Sequence, residues 1–230
     1  MTSDDETATG RRATRLRRRW DREAAGYDRA FAAAERRMFP DVRGRLCARA
    51  QGRTLEVAVG TGLNLAHYPR AVTGGAPGGG YTGVEWSPGM LRLARRRASE
   101  LGLDLVDLRL GDAQALDLPD DAFDTVVCTF SLCAIGDDRA ALAEMTRVLR
   151  PGGLLLLADH VASSAWPLRA LQAAADLVSV PLAGEHFGRR PARWIEEQGL
   201  EVEQHERSRA GVIELVAARL PAGWSGVVSR

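Results

Sequence analysis

Thr54-Leu55-Glu56-Val57-Ala58-Val59-Gly60-Thr61-Gly62-Leu63-Asn64 is an apolar run that ends on two glycines one residue apart and leads into a helical pattern. A strand closing on such a turn aims bare backbone N–H groups at a ligand, and the glycines let that ligand approach the main chain. The next apolar run, Tyr81 to Glu85, ends in an acid 23 residues beyond Gly62, close to the spacing of about 20 at which a carboxylate holds the hydroxyls of a ribose. Two neighbouring strand ends therefore point to one nucleoside. A nicotinamide site asks for a third small residue in the pattern G-x-G-x-x-G. That position is Leu65 counted from Gly60, or Leu63 counted from Ala58, and a bulky side chain there obstructs close packing of helix on strand.

Outward from this turn, apolar runs recur at Leu105 to Leu110, Thr125 to Phe130 and Leu154 to Asp159, separated by helical patterns at Leu63 to Tyr68, Pro88 to Leu101 and Ala140 to Leu149. Strands alternating with helices imply βαβ units and a mostly parallel sheet covered on both faces. Leu200 to Glu206 and Val212 to Ala218 have no helix between them and read as an antiparallel hairpin at one edge. The glycine-rich stretch Gly74 to Gly80 reads as a flexible surface insertion.

Ahead of the first strand, residues 1–14 read as a polar, disordered tail and residues 15–50 as a helical cap or lid. Arg11 to Arg19 carry six arginines around Leu16; Trp20, Tyr27, Phe31 and Met38 then form one apolar face, and Phe39-Pro40 interrupts the helix before a second helical stretch from Asp41 to Ala50. Residues 51–220 form the ligand-binding domain and 221–230 a C-terminal tail.

The 230 residues hold 31 basic against 30 acidic side chains, net +1, so no whole-molecule field marks a nucleic acid as partner. The arginine run reads first as a solvated face, with weak attraction to an anionic membrane surface as its functional alternative. Cys47, Cys128 and Cys133 lack paired C-x-x-C spacing, and no metal cluster is expected. A reducing cytoplasm fits this usage, and Met1-Thr2-Ser3-Asp4-Asp5-Glu6 opens no secretory signal. Trp166 to Ala183 is broken by Pro167, Arg169, Gln172, Asp176 and Pro181, against a membrane span.

The acid four residues before Gly60 makes the pattern E-x-A-x-G-x-G, which resembles the first motif of the class I S-adenosylmethionine-dependent methyltransferases. Gly111-Asp112-Ala113 is similar to that family's adenine-binding corner, Phe123-Asp124-Thr125-Val126-Val127 to its fourth strand, and Leu149-Arg150-Pro151-Gly152-Gly153 to the turn entering its fifth. The resemblance implies a Rossmann-like three-layer sandwich on a seven-stranded sheet, with S-adenosylmethionine as cofactor and S-adenosylhomocysteine as product. It places Gly60 and Gly62 at the methionine portion and Glu85 at the ribose diol, with Glu56, Ala58, Thr61 and Asn64 of the same motif also binding the cofactor. Asp112 and Ala113 would meet the adenine, Trp86 and Met90 would wall the adenosine, and Thr129 and Phe130 would line the reactive end. Ala58 departs from the family's usual glycine, so the turn either keeps an ordinary backbone there or accepts strain.

Trp20-Asp21 and Tyr27-Asp28 are similar to the lead segment that caps the cofactor in small members of the family, with Tyr27 as the preferred contact and structural packing as the equal alternative. Asp159-His160, at the end of the fifth strand, offers a proton acceptor or a hydrogen-bonded structural pair. Trp20, Cys133, Trp166 and His186 are the substrate-side candidates, His186 doubling as a second candidate base. Over about residues 20 to 219 the chain is similar to bacterial phospholipid-amine N-methyltransferases and thiol S-methyltransferases, and more distantly to quinone-biosynthesis methyltransferases. The expected substrate is thus a small molecule carrying a nucleophilic heteroatom. With only one or two histidines available, an easily ionised thiol is favoured over an amine.

Overall fold

A computed structural model describes residues 3–38, 40–208 and 210–224, apart from the side chains of residues 3–9 and 30–38. The apolar run at the first motif forms β1 (Arg53–Val57), which pairs in parallel with β2 (Gly80–Glu85) on one side and β4 (Phe123–Thr129) on the other. Outside β2 lies the short edge strand β3 (Asp107–Leu110); outside β4 lies β5 (Leu149–His160). The C-terminal hairpin completes the sheet, with β7 (Ile213–Arg219) antiparallel to β5 and β6 (Glu201–Arg207) outermost. The resulting order is β3-β2-β1-β4-β5-β7-β6, and the chain reverses its direction of build-out between β1 and β4. Ligands of open α/β sheets bind beyond the carboxyl ends of the strands at such a reversal.

β5 shows why its core reads as an unbroken apolar run. Leu154, Leu156 and Ala158 pack into the layer made by α2 (Val42–Cys47), the 3-10 turn Leu63–His67, α3 (Arg70–Thr73) and α4 (Pro88–Glu100). Leu155 and Leu157 pack into the opposite layer, with α5 (Asp138–Val148) and α7 (Pro191–Glu197). Both faces are covered, so alternation disappears. The strand is longer than its apolar core because Leu149 already pairs with Phe123 before a register shift. β3 is shorter than its apolar run, since it has one neighbour and Leu105 stands exposed ahead of it.

At the N-terminus a single helix, α1, runs Ser3–Met38. Residues 3–14 are therefore helical rather than a disordered tail, with Asp4, Asp5 and Glu6 at the end of the helix where acids complement its dipole. Phe31 and Met38, expected on its apolar face, lie with Phe39 outside the described side chains. α6 (Trp166–Ala183) follows β5. No helix among the described residues is long and apolar enough to cross a membrane.

Candidate active site

A cavity of about 630 Å3 opens over the carboxyl ends of β1, β2 and β4, within the roughly 300–1,000 Å3 usual for small-ligand sites. Its floor is built from strand-end turns: Ala58, Gly60 and Thr61 after β1, Glu85, Trp86 and Met90 after β2, Asp112 and Ala113 after β3, Thr129 and Phe130 at the end of β4. All ten were expected at the cofactor. The Glu85 carboxylate accepts from Gly60 N at 2.8 Å and from Ser87 N at 2.7 Å, tying the first turn to the second. Burial holds its pKa above the ordinary carboxylate range, against the lowering hydrogen bonds of Ser87, Gly60 and Trp86. Asp112 Oδ1 accepts from the backbone N and the side-chain Nε2 of Gln114, each at 2.9 Å.

The two motif glycines do different work. A Cβ added at Gly60 would meet nothing within 4 Å, so the main chain faces open space. At Gly62, with φ 81°, a Cβ would stand 2.8 Å from Leu65 Cδ1 and 3.1 Å from Ala94 Cα. Gly62 is where the turn packs on α4; it accommodates Leu65 and does not line the cavity. Ala58 takes φ 58° and so accepts the strain its side chain imposes. Ala58→Gly relieves about 1–2 kcal/mol and loosens the unfolded chain by about 0.4–1 kcal/mol. A calorimetric melting temperature raised by about 2 °C is expected; a fall would mean that the methyl group packs favourably.

Glu56 and Asn64, also expected at the cofactor, lie fully buried and away from the cavity surface. Glu56 accepts from Asn64 Nδ2 at 2.9 Å, Tyr68 Oη at 2.8 Å and Tyr81 Oη at 2.6 Å. Burial pushes it up to about 7, although those three bonds and the Arg43 charge pull the other way. Arg43 completes this assembly: its Nη1 donates to Asn64 Oδ1 at 2.7 Å and to Thr129 Oγ1 at 3.1 Å, and its guanidinium lies 4.9 Å from the centroid of Phe130. Arg43 also lines the cavity. The sequence reading missed it, though it shares the helical stripe of Leu46, Cys47 and Ala50, where a buried arginine signals a polar partner in the core.

α1 roofs the cavity through the two aromatic–acid pairs, two helical turns apart. Trp20 and Tyr27 line the cavity and meet edge to face, ring centroids 6.1 Å apart. The acids grip the turns below: Asp21 Oδ1 accepts from Ser87 Oγ at 2.6 Å and Gly89 N at 2.7 Å. Asp28 accepts from Thr61 Oγ1 at 2.6 Å and pairs with Arg97 at 2.5 Å. Gly89 permits this approach, since a Cβ there would stand 2.9 Å from Asp21 Cα.

The expected Asp159-His160 pair does not line the cavity. Asp159 is a staple: its carboxylate accepts from Ser131 N at 3.1 Å, Cys133 N at 3.2 Å and His160 N at 2.6 Å, and burial pushes it up to about 6. His160 packs against Phe130 with ring centroids 5.4 Å apart, and burial pulls it down to about 4, which makes it a weak proton acceptor at neutral pH. Cys133 is buried with its Sγ 4.0 Å from His160 Nδ1 and is likewise absent from the cavity wall. Although no metal cluster was expected, Cys133, Asp159 and His160 bring one ligand atom each within 4.8 Å of one another; both carboxylate oxygens are engaged by backbone amides. His186 does line the cavity, held by its backbone N–H donating to Cys133 O at 2.7 Å, and burial with the nearby Arg189 charge keeps its pKa below the ordinary value. Trp166, 73% exposed on the first turn of α6, is far from any role in the cavity wall.

Residues 55–157 match the methyltransferase domain family. The phosphatidylethanolamine N-methyltransferase of Cereibacter sphaeroides is 36% identical over 162 residues, 70% of this chain and 74% of that protein. The human thiol S-methyltransferase TMT1B is 31% identical over 137 residues, 59% of this chain and 53% of that one. A chain in the solved complex of the Haloferax volcanii Trm112 methyltransferase activator with a methyltransferase superposes with a TM-score of 0.66 at 19% identity, covering 88% of this chain and 97% of its own. With the sheet order, the open glycine turn and the acid at the second strand end in place, this chain belongs to the class I S-adenosylmethionine-dependent methyltransferases.

Proposed function

We propose that this chain binds S-adenosylmethionine in the cavity and methylates a nucleophilic heteroatom of a small apolar molecule, with thiol sulfur as the preferred acceptor. The observation that carries the reading is the open main chain of Gly60 beside the Glu85 carboxylate, on adjacent strand tips under an aromatic roof. These residues fit the cofactor: Gly60 leaves unfilled the space a Cβ would take, Glu85 offers lone pairs to a ribose diol, and Trp86 and Met90 offer apolar walls. When bound, the cofactor supplies an electrophilic methyl group on a sulfonium sulfur. Trp20 and Tyr27 exclude water from the reacting end, where positioning does most of the work.

Two cavity residues favour a thiol. His186, neutral at pH 7 because its pKa is depressed, can take the proton of a thiol whose ordinary pKa is about 8.5. The Arg43 guanidinium, at the end of β4, favours an acceptor that is anionic as it reacts and disfavours an ammonium group. A phospholipid amine is the second reading, supported by the Cereibacter sphaeroides relative.

The test is formation of S-adenosylhomocysteine across a panel of thiols, amines and phenols. Thiols should turn over, and His186→Ala should lower their rate at pH 7 by about tenfold or more. The deficit should close above about pH 9, where the thiol ionises unaided. Turnover of amines without thiols would overturn the thiol reading, and a His186→Ala profile parallel to wild type would remove the imidazole from the proton path.

A further inference from the structure

α6 is an amphipathic helix with its sides reversed. Gln172, Asp176 and Ser179 fall on one side, at i, i+4 and i+7, and all three are bonded back to the body. Gln172 accepts from Ser163 N at 2.7 Å and donates to Val161 O at 3.0 Å; Asp176 accepts from Phe187 N at 2.8 Å and Gly188 N at 3.1 Å; Ser179 Oγ donates to Glu185 O at 2.8 Å. The outward side carries Trp166, Leu171, Leu177, Val178 and Leu182, each 60–79% exposed, and Ala183 is the only buried residue of the helix. A helix on a globular surface places these sides the other way round.

Beside it, α1 presents a stripe of charge. Arg11, Arg15, Arg18 and Arg22, at i, i+4, i+7 and i+11, are all exposed. Like charges at these spacings repel one another, so the stripe is relieved by an anionic partner. The two helices are tied together: Arg12 donates to Val180 O at 3.1 Å, Arg15 donates to Pro181 O at 2.8 Å, and Leu16 Cδ1 stands 2.9 Å from where a Cβ on Gly184 would lie.

We propose that the outward side of α6 and the arginine stripe of α1 form one surface that rests on an anionic phospholipid bilayer, with α6 sunk at the boundary of headgroups and acyl chains. Apolar bulk including a tryptophan, flanked by cationic side chains, is the composition that binds such an interface. A second copy of the chain is the poorer occupant, because it brings a second arginine stripe toward the first. Arg12, Leu16, Val180 and Gly184 also line the cavity, so its mouth opens at the edge of this surface. The proposal holds whichever acceptor the enzyme uses.

Co-sedimentation of the full chain with vesicles of phosphatidylglycerol and phosphatidylcholine, against vesicles of phosphatidylcholine alone, tests it. The protein should pellet with the mixed vesicles and be released in about 1 M salt, where the Debye length shrinks to about 3 Å. L177D/L182D should weaken the partition by tenfold or more, and R11Q/R18Q/R22Q by roughly fivefold for each arginine removed. Tryptophan fluorescence should shift to the blue on binding, and Trp166→Phe should remove most of that shift. Circular dichroism of the variants should match wild type, since the altered side chains are exposed. Absence from the mixed-vesicle pellet, binding that neither variant weakens, or a dimer in light scattering that L177D/L182D dissociates with no vesicle binding would each overturn the proposal.

Discussion

Glu85→Ala is expected to weaken binding of S-adenosylhomocysteine by about 100-fold or more in titration calorimetry. The carboxylate lines the cavity while already accepting from Gly60 N and Ser87 N, and its remaining lone pairs are the ones a ribose diol would use. Hydrogen bonds to a charged group contribute about 1.5–3 kcal/mol each, so losing two accounts for the expected factor. Alanine also unties the first strand-end turn from the second, which loosens the open main chain at Gly60. Glu85→Gln keeps one carbonyl acceptor and should lose about tenfold. Because burial raises the pKa of Glu85, wild-type affinity should fall as the pH drops toward that raised value, since the protonated acid accepts more weakly; Glu85→Gln should lack this dependence. Affinity within about threefold of wild type in the alanine variant, less than 1 kcal/mol, would take Glu85 out of the ribose site.

Arg43→Met should lower the melting temperature by about 10 °C, the largest stability effect expected here. The substitution leaves Asn64 Oδ1 buried without the donor at 2.7 Å, removes a donor from Thr129 and takes the neighbouring cation from Glu56. Removing one member of a buried charged assembly costs about 3–5 kcal/mol, and a chain of this size shifts by about 2–4 °C per kcal/mol. Adding Glu56→Gln should recover part of the loss, because the carboxylate left without its cation is then gone; a double-mutant cycle in differential scanning calorimetry reads that coupling directly. A shift under about 2 °C for Arg43→Met would mean that the tyrosines and Asn64 hold Glu56 without the arginine.

The strand-end residues that line the cavity were legible because they are local. Gly60, Thr61, Glu85, Trp86, Asp112 and Ala113 sit at the ends of parallel strands, and parallel pairing with alternating helices brings all such ends to one edge regardless of detail. The aromatic–acid pairs at Trp20-Asp21 and Tyr27-Asp28 were legible for a similar reason: seven residues are nearly two helical turns, so what one pair faces the other faces too. Asp159 and His160 were expected at the catalytic position but do not line the cavity, because chain position does not set side-chain direction. His160 does end β5, yet it stacks on Phe130, itself turned through φ 52°. His186, from the loop after α6, lines the cavity because its backbone N–H finds Cys133 O.

Periodicity and turn chemistry, both properties of neighbouring residues, thus determine from sequence alone the sheet, its helical layers and the strand ends that line the cavity. Tertiary structure alone decided that Arg43 meets Thr129, 86 positions on, that Gly62 serves packing while Gly60 stays open, and that α6 turns its apolar side outward. Those outcomes depend on contacts between segments far apart in the chain, and the free energy of such contacts is settled only when the whole fold has closed.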